Sequence, residues 1–186
     1  MSESKDARNA IPVDRWVWGD ERIIWGYAPD HAYTLKVLEP KRGRAGCLSL
    51  QYHHKKSESW FVLRGTAWAL LIVDDQVCTR LMRPNDIQNI AASTVHRLMG
   101  VTDDVQVLEP STPDRHAADK NAPKDVVRLH CVHGREVEKP RSAAEAKLIA
   151  QAIAWTEEAI ACVEKGTLPP EYNAEFLVGR GSFALR

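Results

Sequence analysis

The sequence predicts an all-β fold, an antiparallel barrel or sandwich carrying one C-terminal helix. Three observations predict it. Short runs of strand composition recur from residue 33 to residue 108 with no helical period between them. Turn residues punctuate those runs at close intervals, at Gly43, Gly65, Asp74 and Asp75, Pro84 and Asn85, and Asp103 and Asp104. The pattern then changes after Ser142 to an alanine-, leucine- and glutamate-rich stretch with a helical period.

Taken in order, residues 1–32 form an N-terminal arm in which Trp16, Trp18 and Trp25 supply an apolar surface able to wrap the strands. Strands are expected at 33–38, 47–53, 59–63, 67–73, 77–81, 87–90, 96–99 and 105–108, because β-branched, aromatic and aliphatic residues dominate each run. Residues 111–124 are polar, charged and proline-bearing and read as a loop, and 126–132 reads as one more strand. The unit 33–135 is therefore the β domain. In 136–186, Ser142 with Glu145 forms a capping-box signature, so the helix starts there. Ile149, Ile153 and Ile160 mark one face, broadened by Leu148, Ala152 and Trp155, and the helix stops at Lys165 and Gly166 ahead of Pro169 and Pro170. That apolar stripe must pack on the β domain or on a partner subunit. The tail 171–186 has no assignable period.

The chain of 186 residues is long enough for one domain with a substantial core. Lys plus Arg equals Asp plus Glu at 25 each, so no global field draws the protein to nucleic acid or to an anionic membrane. No run of apolar residues has the length of a membrane span, and the charged start at residues 1–8 does not read as a signal peptide. A cytoplasmic location is the expectation. Cys47, Cys78, Cys131 and Cys162 are irregularly spaced, which excludes a thiolate zinc knot and predicts reduced, mostly buried thiols. Strand alternation would point Cys47 the same way as Gln51.

The chemistry concentrates between Gly46 and Gly65. Residues two apart on a strand share a face, so Gln51 and His53 lie on one side and Tyr52 and His54 on the other. If the next strand returns as a hairpin, its first carboxylate, Glu58, meets either histidine across the turn. His96, 38 residues after Glu58, can face the same point. Two ligand sets follow: Gln51, His53, Glu58 and His96, or His54, Glu58 and His96. The second is the two-histidine, one-carboxylate arrangement of non-haem iron. Imidazole and carboxylate donors suit zinc, iron, manganese or nickel. The bland alternative is a solvated basic turn, His53, His54, Lys55 and Lys56, with an unrelated His96.

The flanking residues resemble the first motif of the cupin superfamily, whose glycine, histidine pair, glutamate and glycine correspond to Gly46, Gln51 and His53, Glu58 and Gly65, with Gln51 at the family's first histidine position. A counterpart of the second motif spans 85–100, where His96 fits the metal-binding histidine. Ala91 and Ser93 stand at its usual proline and glycine, and Asn85 and Gly100 at its usual glycine and asparagine. Leu48 to His54, then Glu58, Trp60, Val62 and Gly65 to Ala67, look like the cupin domain of bacterial type II mannose-6-phosphate isomerases. Trp18, Gly19, Tyr33, Lys36, Arg97, Glu109, Arg128 and Arg135 lie in matching segments. The resemblance covers about 16–135 and leaves the helix outside it. It departs at Lys55, where the related enzymes show a third histidine, at 116–120, where they are acidic, and at His133, where they have tyrosine.

The resemblance implies a cupin-type double-stranded β-barrel (a jelly roll) and one divalent ion, zinc first, held by Gln51, His53, Glu58 and His96, with His54 as the alternative to His53. It implies aldose–ketose isomerisation of a small sugar phosphate by a homodimer. Glu109, His130 and Arg97 are the candidate catalytic residues, and Lys36, Arg128 and Arg135 the candidate substrate contacts. An iron-dependent oxygenase or lyase, and a non-enzymatic ligand-binding cupin, are the alternatives.

Overall fold

The computed structural model describes residues 11–26, 30–113 and 121–178. The first residues of the expected arm, the middle of the 111–124 loop and the end of the tail lie outside them. Among the described residues, eleven strands follow one another: β1 (Val13–Trp16), β2 (Gly19–Trp25), β3 (Thr34–Pro40), β4 (Leu50–His53), β5 (Glu58–Arg64), β6 (Ala67–Val73), β7 (Gln76–Met82), β8 (Ile87–Ile90), β9 (Val95–Gly100), β10 (Gln106–Ser111) and β11 (Val126–His130). Helices α1 (Ala143–Glu164) and α2 (Glu175–Val178) follow them. The strands form a six-stranded sheet, β1-β2-β3-β10-β5-β8, and a five-stranded sheet, β11-β4-β9-β6-β7. All strand pairings within both sheets are antiparallel. The expected strands at 67–73 and 87–90 match β6 and β8, and the others match to within a few residues at each end.

Two apolar clusters set the layers. One joins Leu38, Trp60, Val62 and Val107 of the six-stranded sheet to Ala69, Leu71, Met82 and Leu98 of the five-stranded sheet, and so fills the space between them. The other joins Leu50, Tyr52, Trp68, Leu70 and Met99 on the opposite face of the five-stranded sheet to Ile149, Ala152, Ile160 and Val163 of α1. The helix therefore packs on the chain's own β domain. Its start follows the expected cap, because Glu145 N–H donates to Ser142 Oγ at 3.1 Å. Gly166, at φ +78°, closes its end, with Thr167 N–H donating to the Cys162 carbonyl at 2.9 Å.

Local geometry explains the punctuation. Asp74 and Asp75 both adopt positive φ in the two-residue turn joining β6 to β7, the backbone that suits the twist of a tight hairpin. Gly65 sits at φ +70°, where a Cβ would come within 2.7 Å of Thr102 Oγ1. At Gly46 a Cβ would lie 1.5 Å from the Lys41 carbonyl oxygen, so only glycine lets those two segments pass.

Three expectations change. The segment expected as an arm supplies β1 and β2, which extend the six-stranded sheet by pairing with each other and with β3; Trp18 is buried there while Trp16 and Trp25 remain exposed. Strands β4 and β5 are not a hairpin. They belong to different sheets, and the turn between them crosses the layer gap. Cys47 precedes β4 and lies fully buried in the cluster under α1, out of phase with Gln51. None of the four cysteines, Cys47, Cys78, Cys131 and Cys162, forms a disulfide. The tail covers the free edge of β7, where Thr79 N–H donates to the Tyr172 carbonyl at 2.8 Å and Leu81 N–H to Glu171 Oε1 at 2.7 Å. No helix among the described residues is long and apolar enough to cross a membrane.

Candidate metal centre

Because the turn after β4 crosses between the sheets, His53 at its start and Glu58 at its end face each other across the interior. His96 joins them from β9, where its register partner on β4 is Gln51. The ligand atoms of His53, Glu58 and His96 all lie within 4.8 Å of one another, and all three residues are buried. His96 Nε2 is 3.3 Å from Glu58 Oε1, and His53 Nε2 is 3.8 Å from Glu58 Oε2. The two imidazoles lie nearly parallel, 5.6 Å apart, and Trp60 meets His96 edge-on.

Three details fit this cluster to a cation. His96 Nδ1–H donates to the Thr94 carbonyl at 2.8 Å, which leaves the Nε2 lone pair facing Glu58. His53 Nε2 and His96 Nε2 are buried without a hydrogen-bond partner, a rare condition for buried polar atoms. The protonation states also suit ligation. Burial first, then the charge of Lys56, lowers the His53 imidazole to about 2, so it stays neutral. Burial alone would raise the Glu58 carboxyl, but Lys56 and then His96 outweigh it and hold the group at about 2, so it stays ionised. Zinc-type bonds of about 2 Å need only small side-chain movements from these positions.

The geometry decides between the two ligand sets where it can. His54 is exposed, its ring set edge-on against Tyr52 on the other side of the chain, so it is no alternative to His53. Gln51 faces the interior and lines the same cavity, next to His96 in register. That cavity, about 270 Å³, has the volume of a small metabolite and is also lined by Lys36, Lys56, Glu109, Arg128 and Arg135.

The structure brings some of the expected catalytic and substrate residues together and separates others. Glu109 is buried at the cavity wall, with Lys36 Nζ at 3.3 Å and Lys56 Nζ at 2.7 Å from its Oε1. Lys36 also contacts Glu21, so its ammonium is committed between two carboxylates and not held free for a substrate anion. Arg97 lines the cavity with its neighbours while its side chain reaches toward the helix, and His130 is not among the lining residues. The Arg97 guanidinium turns toward α1, donating to Thr156 Oγ1 at 2.9 Å and to the His130 carbonyl at 3.0 Å. Its NH2 also donates to His130 Nδ1 at 2.9 Å. A register shift after Arg128 takes His130 out of the row of cavity residues. Arg128 and Arg135 remain as cations whose described side-chain contacts include no carboxylate: Arg135 donates to Ser49 Oγ at 2.6 Å and to Cys131 Sγ at 3.4 Å, and Arg128 Nε is buried with no partner.

Sequence reasoning misses Lys56 and Asp125. Lys56 reads as part of a solvated basic turn, yet it is buried and its ammonium lies against Glu58 Oε2. Its even-numbered phase with Glu58 is the available signal. Asp125 clasps that turn, accepting Lys55 N–H at 3.0 Å and Lys56 N–H at 2.9 Å, with His53 Nδ1 3.7 Å away.

Two antiparallel sheets with an inward His, His, Glu cluster define a cupin with a candidate metal centre. The family described as mannose-6-phosphate isomerase C-terminal matches residues 12–107, and the chain belongs to it. No curated protein matches the sequence. Among solved structures, the capsular polysaccharide assembling protein CapF from Staphylococcus aureus is similar at 19% identity and a TM-score of 0.53, over 65% of this chain and 34% of that one. Oxalate decarboxylase from Lactobacillus farciminis aligns at 15% identity and 0.49, over 64% and 33%. KdgF from Halomonas sp. aligns at 18% and 0.43, over 55% and 83%. The chain spans about a third of the length of CapF and of the decarboxylase. At these identities the likeness concerns the fold alone.

Proposed function

We propose that the protein is a metal-dependent isomerase that interconverts an aldose phosphate and its ketose through an enediolate. The observation that carries the reading is the buried His53, Glu58 and His96 cluster opening on a cavity that also holds a carboxylate, Glu109, and two arginines without a described carboxylate partner. Membership of a family named for mannose-6-phosphate isomerase supports it.

His53, Glu58 and His96 would hold the ion, with the Gln51 amide oxygen as a fourth donor and zinc as the first choice. Such an ion would polarise a carbonyl and orient adjacent sugar oxygens without redox change. Glu109 stands at the wall to carry the proton between C1 and C2. Arg128 and Arg135 are the groups to bind the phosphate, since guanidinium forks match its geometry. The test is anaerobic conversion of mannose 6-phosphate, and of a panel of other aldose phosphates, followed by proton NMR. Turnover that is lost in Glu109→Gln with metal content unchanged is the expected result. No turnover of any sugar phosphate by metal-loaded protein would refute the reading.

The same two-histidine, one-carboxylate cluster favours a second reading, an iron-dependent oxygenase or lyase. A requirement for iron together with dioxygen would select the oxygenase, and activity of the zinc-loaded protein under argon would remove it.

A further inference from the structure

The charged groups on the inner side of the six-stranded sheet form one continuous row. Glu21 on β2, Lys36 on β3, Glu109 on β10 and Glu58 on β5 occupy four strands adjacent in that sheet, and Lys56 precedes Glu58 by two residues. Contacts along the row alternate in sign. Lys36 meets Glu21 and Glu109, and Lys56 meets the same Glu109 oxygen and then Glu58. Charges buried this closely persist only when each has a partner. The row holds three carboxylates and two ammonium groups, so one negative charge is in excess.

The last cation of the row divides the two oxygens of Glu58. Oε1 faces His96 Nε2 at 3.3 Å, while Oε2 is taken by the Lys56 ammonium. The Lys56 backbone is fixed by Asp125 and its ammonium by Glu109, so both ends of the side chain are anchored. We infer that Lys56 is a positioning residue that confines Glu58 to one donor oxygen, keeping a coordination position open beside an ammonium for an oxyanion-bearing substrate. The inference rests on the metal-centre reading above. A carboxylate without such a partner can offer both oxygens to a cation. An ammonium a few ångströms from a divalent ion also repels it, so this arrangement lowers metal affinity while it preserves the open position.

Cobalt(II) substitution tests it without any substrate. The visible band of cobalt(II) is several times stronger in four- or five-coordinate sites than in six-coordinate ones, and competition with a chromophoric chelator gives the affinity. In Lys56→Met, which keeps the stem and removes the charge, the band should fall severalfold and cobalt(II) binding should tighten about tenfold. Lys56→Arg should keep both wild-type values. Should Lys56→Met fail to fold, Lys56→Gln, which keeps a donor without the charge, should tighten binding with the band retained. Unchanged or weaker binding in the folded neutral variant overturns the inference and leaves Lys56 as a scaffold for its turn. A wild-type protein that takes up no cobalt(II), or a His96→Ala variant that binds it as well as wild type, overturns the metal-centre reading instead.

Discussion

On the side of the five-stranded sheet turned toward the six-stranded one, β4 and β9 present Gln51, His53 and His96. On the other side the same two strands present Leu50, Tyr52, Val95 and Met99 to the cluster that includes α1. Neighbouring residues on one strand thus enter opposite environments, a polar cavity and a closely packed helix seat. Arg97 and His130 show that environment outranks residue type. Both are groups capable of catalysis, and the Arg97 guanidinium is engaged beneath the helix by Thr156 and by His130. His53 and His96 keep nitrogen lone pairs because nothing on their side consumes them.

The largest expected effect tests the cavity side. His96→Ala and Glu58→Ala should each lower zinc affinity about a thousandfold while the protein still unfolds cooperatively, as read by metal content after dialysis. Stoichiometric metal in both variants would remove the centre. The packing side should respond in the opposite way. Leu50→Ala, fully buried, should cost about 3 kcal/mol in urea unfolding and leave metal affinity within about twofold, whereas its neighbour Gln51→Ala should change affinity and cost under about 1 kcal/mol. If the two variants gave the same pattern, the division by face would be wrong.

Acid should weaken the cavity side first. The folded-state pKa of His53 is lowered to about 2, against about 6.5 when unfolded. Below about pH 6.5 the unfolded chain therefore binds the extra proton, so stability is complete above that pH and declines as pH falls, by about 1 kcal/mol per unit from this side chain. His130, lowered by burial and then Arg97, adds the same sign. Urea midpoints between about pH 7 and pH 5 measure the slope, and His53→Gln should reduce it, leaving the part due to His130 and to His133, which burial also lowers; an unaltered slope would contradict the buried, neutral imidazole. The smallest effect lies at the helix seat, where Ser142→Ala should cost about 1 kcal/mol by removing the acceptor for Glu145 N–H.

The strands from β3 to β11, the helix and the candidate ligands Glu58 and His96 are legible because alternation, turn residues and capping act locally. The crossing of the β4–β5 turn between sheets is not, since a short polar connection reads the same whether it makes a hairpin or a layer change. Strands β1 and β2 are hidden for a related reason: Glu21 is a buried charge on β2, and its partner Lys36 is supplied by β3. The burial of Lys56 leaves no local signal because it depends on Glu109, more than fifty positions later in the chain. Pairwise charge compensation over such separations leaves no periodic trace.

Asp125 has a mechanical consequence. Its carboxylate grips the backbone of Lys55 and Lys56, and its carbonyl accepts His54 N–H at 3.1 Å. Three residues further on, β11, which begins directly after Asp125, carries Arg128. A ligand that pulled on Arg128 would therefore pull on the loop that aims His53 and Lys56, so the Arg128 end and the His53, Glu58 and His96 end of the cavity share one hinge pin.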